Sequence, residues 1–259
     1  MKQILIIAIT TCVFLNACTQ TSLEEINQKP SQARISAITT LNFAGLTWEV
    51  KDAYTSKVGP GPNYFSKDNV WVDIDGKLHL KIRRISTTKW TCAELKTQQL
   101  FGNGVYQFWV EGRPDLFDKN TVLGLFNYPC ANGICEPDGT HEIDIEFAKW
   151  GNATETKTLN YTTYPNAVGG ATYHQTFPLS LSGTYTTHRY SRSASSVYFQ
   201  SLYGHQSDNT NQFASATSTN IVSTLAMPVY MNLWLFQGKL PSDKKEVEMV
   251  IRDFKFVAQ

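Results

Sequence analysis

The run His141-Glu142-Ile143-Asp144-Ile145-Glu146-Phe147 leaves its stretch of chain very little conformational choice. Carboxylates stand at every second position and apolar side chains fill the gaps, a period of two that a β-strand converts into two distinct faces. One face carries Glu142, Asp144 and Glu146, while Ile143, Ile145 and Phe147 enter a core on the other. An exposed amphipathic strand usually mixes Lys, Thr and Ser into its polar face, because like charges on neighbouring positions destabilise a sheet. Three closely set carboxylates are instead the means by which a site keeps one carboxyl protonated and another ionised near neutral pH.

The rest of the chain offers strands to pair with this one. Val70-Trp71-Val72-Asp73-Ile74 and Leu78-His79-Leu80-Lys81-Ile82 flank Asp75-Gly76, a strong short-range hairpin signal. Further runs rich in aromatic and β-branched residues occupy 90–100, 104–111, 121–128, 141–149, 157–163, 171–177, 185–191, 197–202, 229–236 and 246–257. No stretch of comparable strength has a helical period, and short strands at regular spacing predict an all-β, two-sheet sandwich. In the last run Val247, Met249 and Ile251 share a phase that Phe254 and Phe256 break, so a bulge at Arg252-Asp253 is expected to restore the apolar face.

Met1-Lys2 followed by an apolar run over 4–15 has the form of a secretory signal, too short for the roughly 20 residues of a spanning helix. Leu15-Asn16-Ala17-Cys18 resembles the bacterial lipobox, which implies a signal peptide over 1–17 and acylation of Cys18; a plain cleaved signal is the alternative. Polar residues over 18–40 read as a flexible tether, leaving 41–259 as one domain. The implied location is outside the cytoplasm, held to the outer membrane or cell surface by lipid. A formal charge of +1 without basic runs disfavours nucleic acid as a partner, and a monomer is expected. Cys130 and Cys135 bracket a turn-like Ala-Asn-Gly-Ile and are expected to form a disulfide, zinc being the weaker alternative for want of a nearby His or Cys pair; Cys92 is expected to be a buried thiol.

Glycoside hydrolysis requires one carboxyl that protonates the leaving oxygen and a second that attacks the anomeric carbon, about 5–5.5 Å apart in retaining enzymes. Positions i and i+4 of a flat strand lie roughly 13 Å apart, so the sheet must be concave. Glu142-Ile-Asp-Ile-Glu146-Phe147 resembles the Glu-x-Asp-x-Glu signature of glycoside hydrolase family 16, the group of bacterial lichenases and laminarinases. The resemblance implies a concanavalin A-like jelly roll with a substrate cleft, Glu142 as nucleophile, Glu146 as acid/base and Asp144 as supporting acid.

Four further segments resemble the family in its order. Trp90-Thr-Cys92-Ala-Glu94 with Gly102-Asn-Gly104-Val-Tyr106 implies that Glu94 lines the cleft. Phe126 and Tyr128, Asn160, and the pair Asn232 and Trp234 of Met231-Asn-Leu-Trp234 fall at the family's sugar-contacting positions. Thr140 stands where lichenases carry Trp, and His141 replaces an acidic neighbour, which leaves the polysaccharide undefined. No cofactor is required for such catalysis; Asp253 falls where some members hold structural Ca²⁺. A transglycosylase using the same intermediate, or a sugar-binding sandwich that does not cut, are the alternatives.

Overall fold

Period-two burial runs through the domain, and the strands it generates pair almost entirely antiparallel. The computed structural model describes residues 38–131, 133–219 and 223–259. The expected signal peptide over 1–17, the expected acylation site Cys18 and the expected tether as far as residue 37 lie outside the described residues.

Among the described residues there is no α-helix; nineteen strands and three short 3-10 turns form. In chain order the first are β1 (Thr39–Phe43), β2 (Leu46–Val50), β3 (Ala53–Val58), β4 (Asn63–Phe65), β5 (Val70–Val72), β6 (Leu78–Arg84) and β7 (Trp90–Thr97). Next come β8 (Gly104–Glu111), β9 (Thr121–Asn127), β10 (Cys130–Ala131), β11 (Ile134–Cys135), β12 (Ile143–Ala148) and β13 (Leu159–Thr163). The last are β14 (Tyr173–Phe177), β15 (Tyr185–Arg192), β16 (Val197–Tyr203), β17 (Gln212–Ser218), β18 (Val229–Leu235) and β19 (Val247–Ala258).

One sheet runs β14-β13-β12-β9-β18-β7-β2-β1 and carries the acidic strand β12 near its middle. The opposing sheet runs β17-β16-β15-β8-β19-β6-β5. They meet where β6 pairs with β7 through Arg83 and Thr91, so the whole is a curved jelly-roll sandwich as expected. Between the layers, Leu95, Met231, Leu125, Ile145 and Tyr161 lie opposite one another across five strands and are all buried. The second sheet answers with Phe108, Tyr190, Phe199, Met249 and Ile251. This alternation is what turns the polar side chains of β12 outward, away from the core.

The bulge expected in the last strand is present, with the register of β19 on β8 slipping between Ile251 and Asp253. It returns Phe254 to the core, where its ring meets Trp48 edge-on at 5.9 Å and Phe108 at 5.0 Å. Asp253 spends one carboxylate oxygen on the N–H of Phe254 at 2.9 Å. Among the described residues no three His, Cys, Asp or Glu side chains gather so as to hold a metal ion.

The hairpin at Asp75-Gly76 forms as expected, Gly76 taking a φ of 80°. Cys130 and Cys135 are joined across the β10–β11 hairpin. Cys92 is free and buried, and burial pushes its thiol up to about 12. The sequence reading differs in several places: it marks no strand before residue 70, yet β1 to β4 form there, with Thr39 and Thr40 of the expected tether opening β1, and β10, β11 and β17 form from stretches with little apolar signal. The β1–β2 turn is Ala44-Gly45, both with φ above zero, a two-residue hairpin of the type that matches strand twist.

Truncating Phe254 at the point where the bulge restores the core is expected to cost about 3–5 kcal/mol of unfolding free energy. Val257→Ala, on an exposed site of the same strand, is expected to stay within about 0.5 kcal/mol. Denaturant midpoints of the two variants check the contrast.

Candidate active site

Strand register decides which side chains share the outer face of the first sheet. Glu94 on β7 lies opposite Asn232 on β18, which faces Gly124 on β9, then Glu146 on β12, then Asn160 on β13. Two positions along, Tyr230, Phe126, Asp144 and Thr162 form a parallel row. Gly124 sits between Asn232 and Glu146 for a steric reason, since a Cβ there would come within 2.5 Å of Asn232 Oδ1.

Glu142 stands just outside β12, and the chain turns immediately before it. His141 has a φ of 62°, a left-handed conformation uncommon for a residue other than glycine. The turn is pinned by the Glu142 N–H to Thr140 O at 2.8 Å and by the Tyr164 N–H to Glu142 O at 2.9 Å. His141 itself leans away to Ser223 Oγ, 2.9 Å distant, and is not part of the cleft wall.

Glu142, Asp144 and Glu146 all line one cavity of about 540 Å³. Burial pushes the Glu146 carboxyl up to about 8, and the charge of Glu142 adds to the shift. Burial likewise raises Glu142, to about 7; the hydrogen bond with Asp144 pulls it back down, whereas the charges of Asp138 and Glu94 push it further up. Asp144 is held well above the ordinary carboxylate range by burial and by both glutamates, and its bond to Glu142 favours the form carrying the proton. At neutral pH the trio thus holds protons on some members and charge on another, as like charges in a shared dry site demand.

Around them the sequence-predicted residues are largely brought together. Glu94 is buried and accepts Lys51 Nζ at 2.7 Å and Asn232 Nδ2 at 3.2 Å. The other amide atom of Asn232, Oδ1, is buried against Gly124 with no hydrogen-bond partner in the protein. Phe126 stacks on Tyr230 at 5.1 Å and 24°, Tyr128 donates its hydroxyl to Asp138, and Trp234 lines the same cavity.

Asn160 departs from the expectation that it contacts sugar. Its side chain is buried beneath the cleft wall, with Oδ1 accepting Trp150 Nε1 and His174 Nε2, and Nδ2 donating to Thr158 O and, at 3.4 Å, Glu146 O. Cleft residues that sequence reasoning passed over are Lys51, Asp138, Trp150, Tyr164 and Tyr230. Tyr230 was legible, being two residues before Asn232 and therefore on its face; Lys51 and Tyr164 lie just beyond strand ends, where no period points them anywhere.

No family model matches the chain. It is 30% identical over 195 residues to a β-glucanase of Paenibacillus polymyxa, a match covering 74% of this chain and 72% of that protein. It is 35% identical over 130 residues to a β-glucanase of Paenibacillus macerans, where the match spans 49% of each chain. Among solved structures, a Bacillus licheniformis β-glucanase has the same fold, with a TM-score of 0.62 at 21% identity over 85% of this chain and 95% of that one.

Raised carboxyls have a thermodynamic signature. Unfolded Glu146 releases its proton near 4.5 and the folded protein holds it up to about 8, so the stability this group gives is complete below 4.5 and is lost as pH rises through 8. Glu146→Gln is therefore expected to melt higher than the wild type near pH 8 and to lose that advantage near pH 4. Equal differences in melting temperature at the two pH values would show that the carboxyl is not held up by the fold.

Proposed function

This chain belongs with the β-glucanases of glycoside hydrolase family 16, and from that premise we propose that it is a retaining endo-hydrolase of β-linked glucan. The observation that carries the reading is the placing of three carboxyls with raised and graded proton affinities along one wall of an open cleft. Glu146, with the proton it retains at neutral pH, protonates the glycosidic oxygen as Glu142 attacks the anomeric carbon. Asp144 supports the attack by hydrogen-bonding Glu142 in its charged form, which fixes the nucleophile's direction. In the second step Glu146, now ionised, takes a proton from water, which displaces Glu142 from the sugar.

Phe126, Tyr128, Tyr230 and Trp234 offer apolar faces for pyranose rings, and Glu94 with Asn232 offers partners for their hydroxyls. A neutral laminarin-type or mixed-linkage β-glucan fits a wall of this composition. Export and lipid anchoring through Cys18 would put the enzyme where such polymers are met; that part of the reading rests on the lipobox-like sequence alone.

Glu142→Gln and Glu146→Gln are each expected to lose at least about a thousandfold in kcat on barley β-glucan or laminarin while keeping the wild-type circular dichroism. Proton NMR of the first-formed reducing end is expected to show the β-anomer. A first-formed α-anomer, or near-parental rates in either variant, would overturn the mechanism.

The rate is also expected to fall at acidic pH as Glu142 takes up a proton and at alkaline pH as Glu146 gives one up. Asp138→Asn keeps an acceptor for Tyr128 but removes a charge that raises Glu142, so its acidic limb is expected to move to lower pH. An unmoved or upward-moving limb in kcat/KM would assign that limb to another group.

A further inference from the structure

The turn that follows β12 is built against the preferences of its own sequence. Asn152 N–H bonds Lys149 O at 2.9 Å, and the two residues between, Trp150 and Gly151, have φ of 49° and 80°. A two-residue turn with both φ positive normally takes Asn, Asp or Gly first, because a bulky side chain there is strained. Here the first position carries the largest side chain available, and the surrounding structure grips it.

Trp150 Nε1 donates to Asn160 Oδ1 at 3.1 Å, and Asn160 is 1% exposed with the rest of its amide occupied by His174, Thr158 and the Glu146 carbonyl. Phe236 packs edge-on behind the indole at 5.4 Å and 71°. Gly151 follows with a φ of 80°, and a Cβ there would make only ordinary contact with the Phe236 ring at 3.6 Å, so the backbone conformation rather than crowding favours glycine. Trp234 stands 6.4 Å away at 57°, and both indoles line the cleft, whereas Phe236 does not. A strained backbone, a fixed indole N–H and a packed rear edge together stop the ring from turning, while part of it lines the cavity.

We infer that Trp150, held by Asn160, is a sugar-stacking subsite that works as a pair with Trp234, and that Asn160 is a positioning residue for that ring rather than a ligand of the glycan. The ligand this suits is a neutral pyranose with equatorial substituents, whose C–H face lies flat on an aromatic surface. The identity of the sugar rests on the glucan-hydrolase reading above; the stacking role rests on the turn, the hydrogen bond and the paired indoles. Trp150 thus takes over the sugar contact that Asn160, turned inward, does not make.

Affinity electrophoresis of the full chain in gels containing barley mixed-linkage β-glucan or laminarin tests this without turnover, in a Glu142→Gln background. Trp150→Ala is expected to weaken retardation by about tenfold, the order for removing one ring face from contact. Trp150→Phe, which keeps a ring, is expected to recover most of it. Asn160→Ala is expected to weaken retardation by several-fold, and adding it to Trp150→Ala is expected to change nothing more, as for two residues acting through one contact.

Retardation by Trp150→Ala within about twofold of its parent, or a full further loss on adding Asn160→Ala, would overturn the inference. So would a parent retarded by neither polymer. If instead the wild type released no reducing ends from these polymers but retardation still depended on Trp150, the hydrolase reading would fall and the subsite would stand.

Discussion

Mutual repulsion among three carboxylates taken out of water is the constraint to which the rest of the molecule answers. A strand with such a face is a poor strand by every local measure, and only a sheet with a strongly apolar reverse side can hold it in register. Ile143, Ile145 and Phe147, all fully buried between the layers, supply that hold. Glycine at position 124 and the left-handed turn at His141 then shape the surroundings of the acids, the first by leaving room for the Asn232 amide and the second by redirecting the chain at Glu142. Stability spent on burying the acids is what makes their proton affinities useful near neutral pH.

The same logic explains why the cleft wall is so thoroughly cross-linked by hydrogen bonds. Glu94 is a fourth buried acid on this face, and it is tolerated because Lys51 and Asn232 take one oxygen each. Lys51 is itself fixed by Gly59 O and by the face of Phe65, 4.4 Å from its ring centre. Position 94 therefore holds a charge whose geometry is set before any ligand arrives, the arrangement that lowers the entropic cost of gripping a flexible polymer.

Most of the scaffold and the centre of the site were legible in the sequence, because both are written in a period of two. Glu142, Asp144 and Glu146 announce their own face, and the phase break at Arg252-Asp253 announces a bulge that the register of β19 contains. The period also shows its limits at Asn160. Facing parity was right, since Asn160 lies opposite Glu146, but parity says nothing about what stands above a side chain, and there it is Trp150. Trp150, Lys51 and Tyr164 sit in turns or past strand ends, where position depends on tertiary packing alone. β17 was silent for a different reason: Gln212–Ser218 is an edge strand of small and polar residues, paired on one side with β16 and carrying almost no apolar alternation.

Charge in the cleft narrows the chemistry of what enters it. The ionisable groups on its wall, apart from tyrosines, are Lys51, Glu94, Asp138 and the three acids of the β12 strand. Five acidic side chains stand there against one ammonium, and that ammonium is already bonded to Glu94. No uncommitted cation on the described wall faces the cavity, so a sulfated or uronate-rich polymer would bring its charges toward a surface of the same sign, in a low-dielectric groove where repulsion is strong. A neutral polymer meets no such penalty. Its hydroxyls meet a carboxylate held in place at Glu94, and its C–H faces meet aromatic rings along the wall.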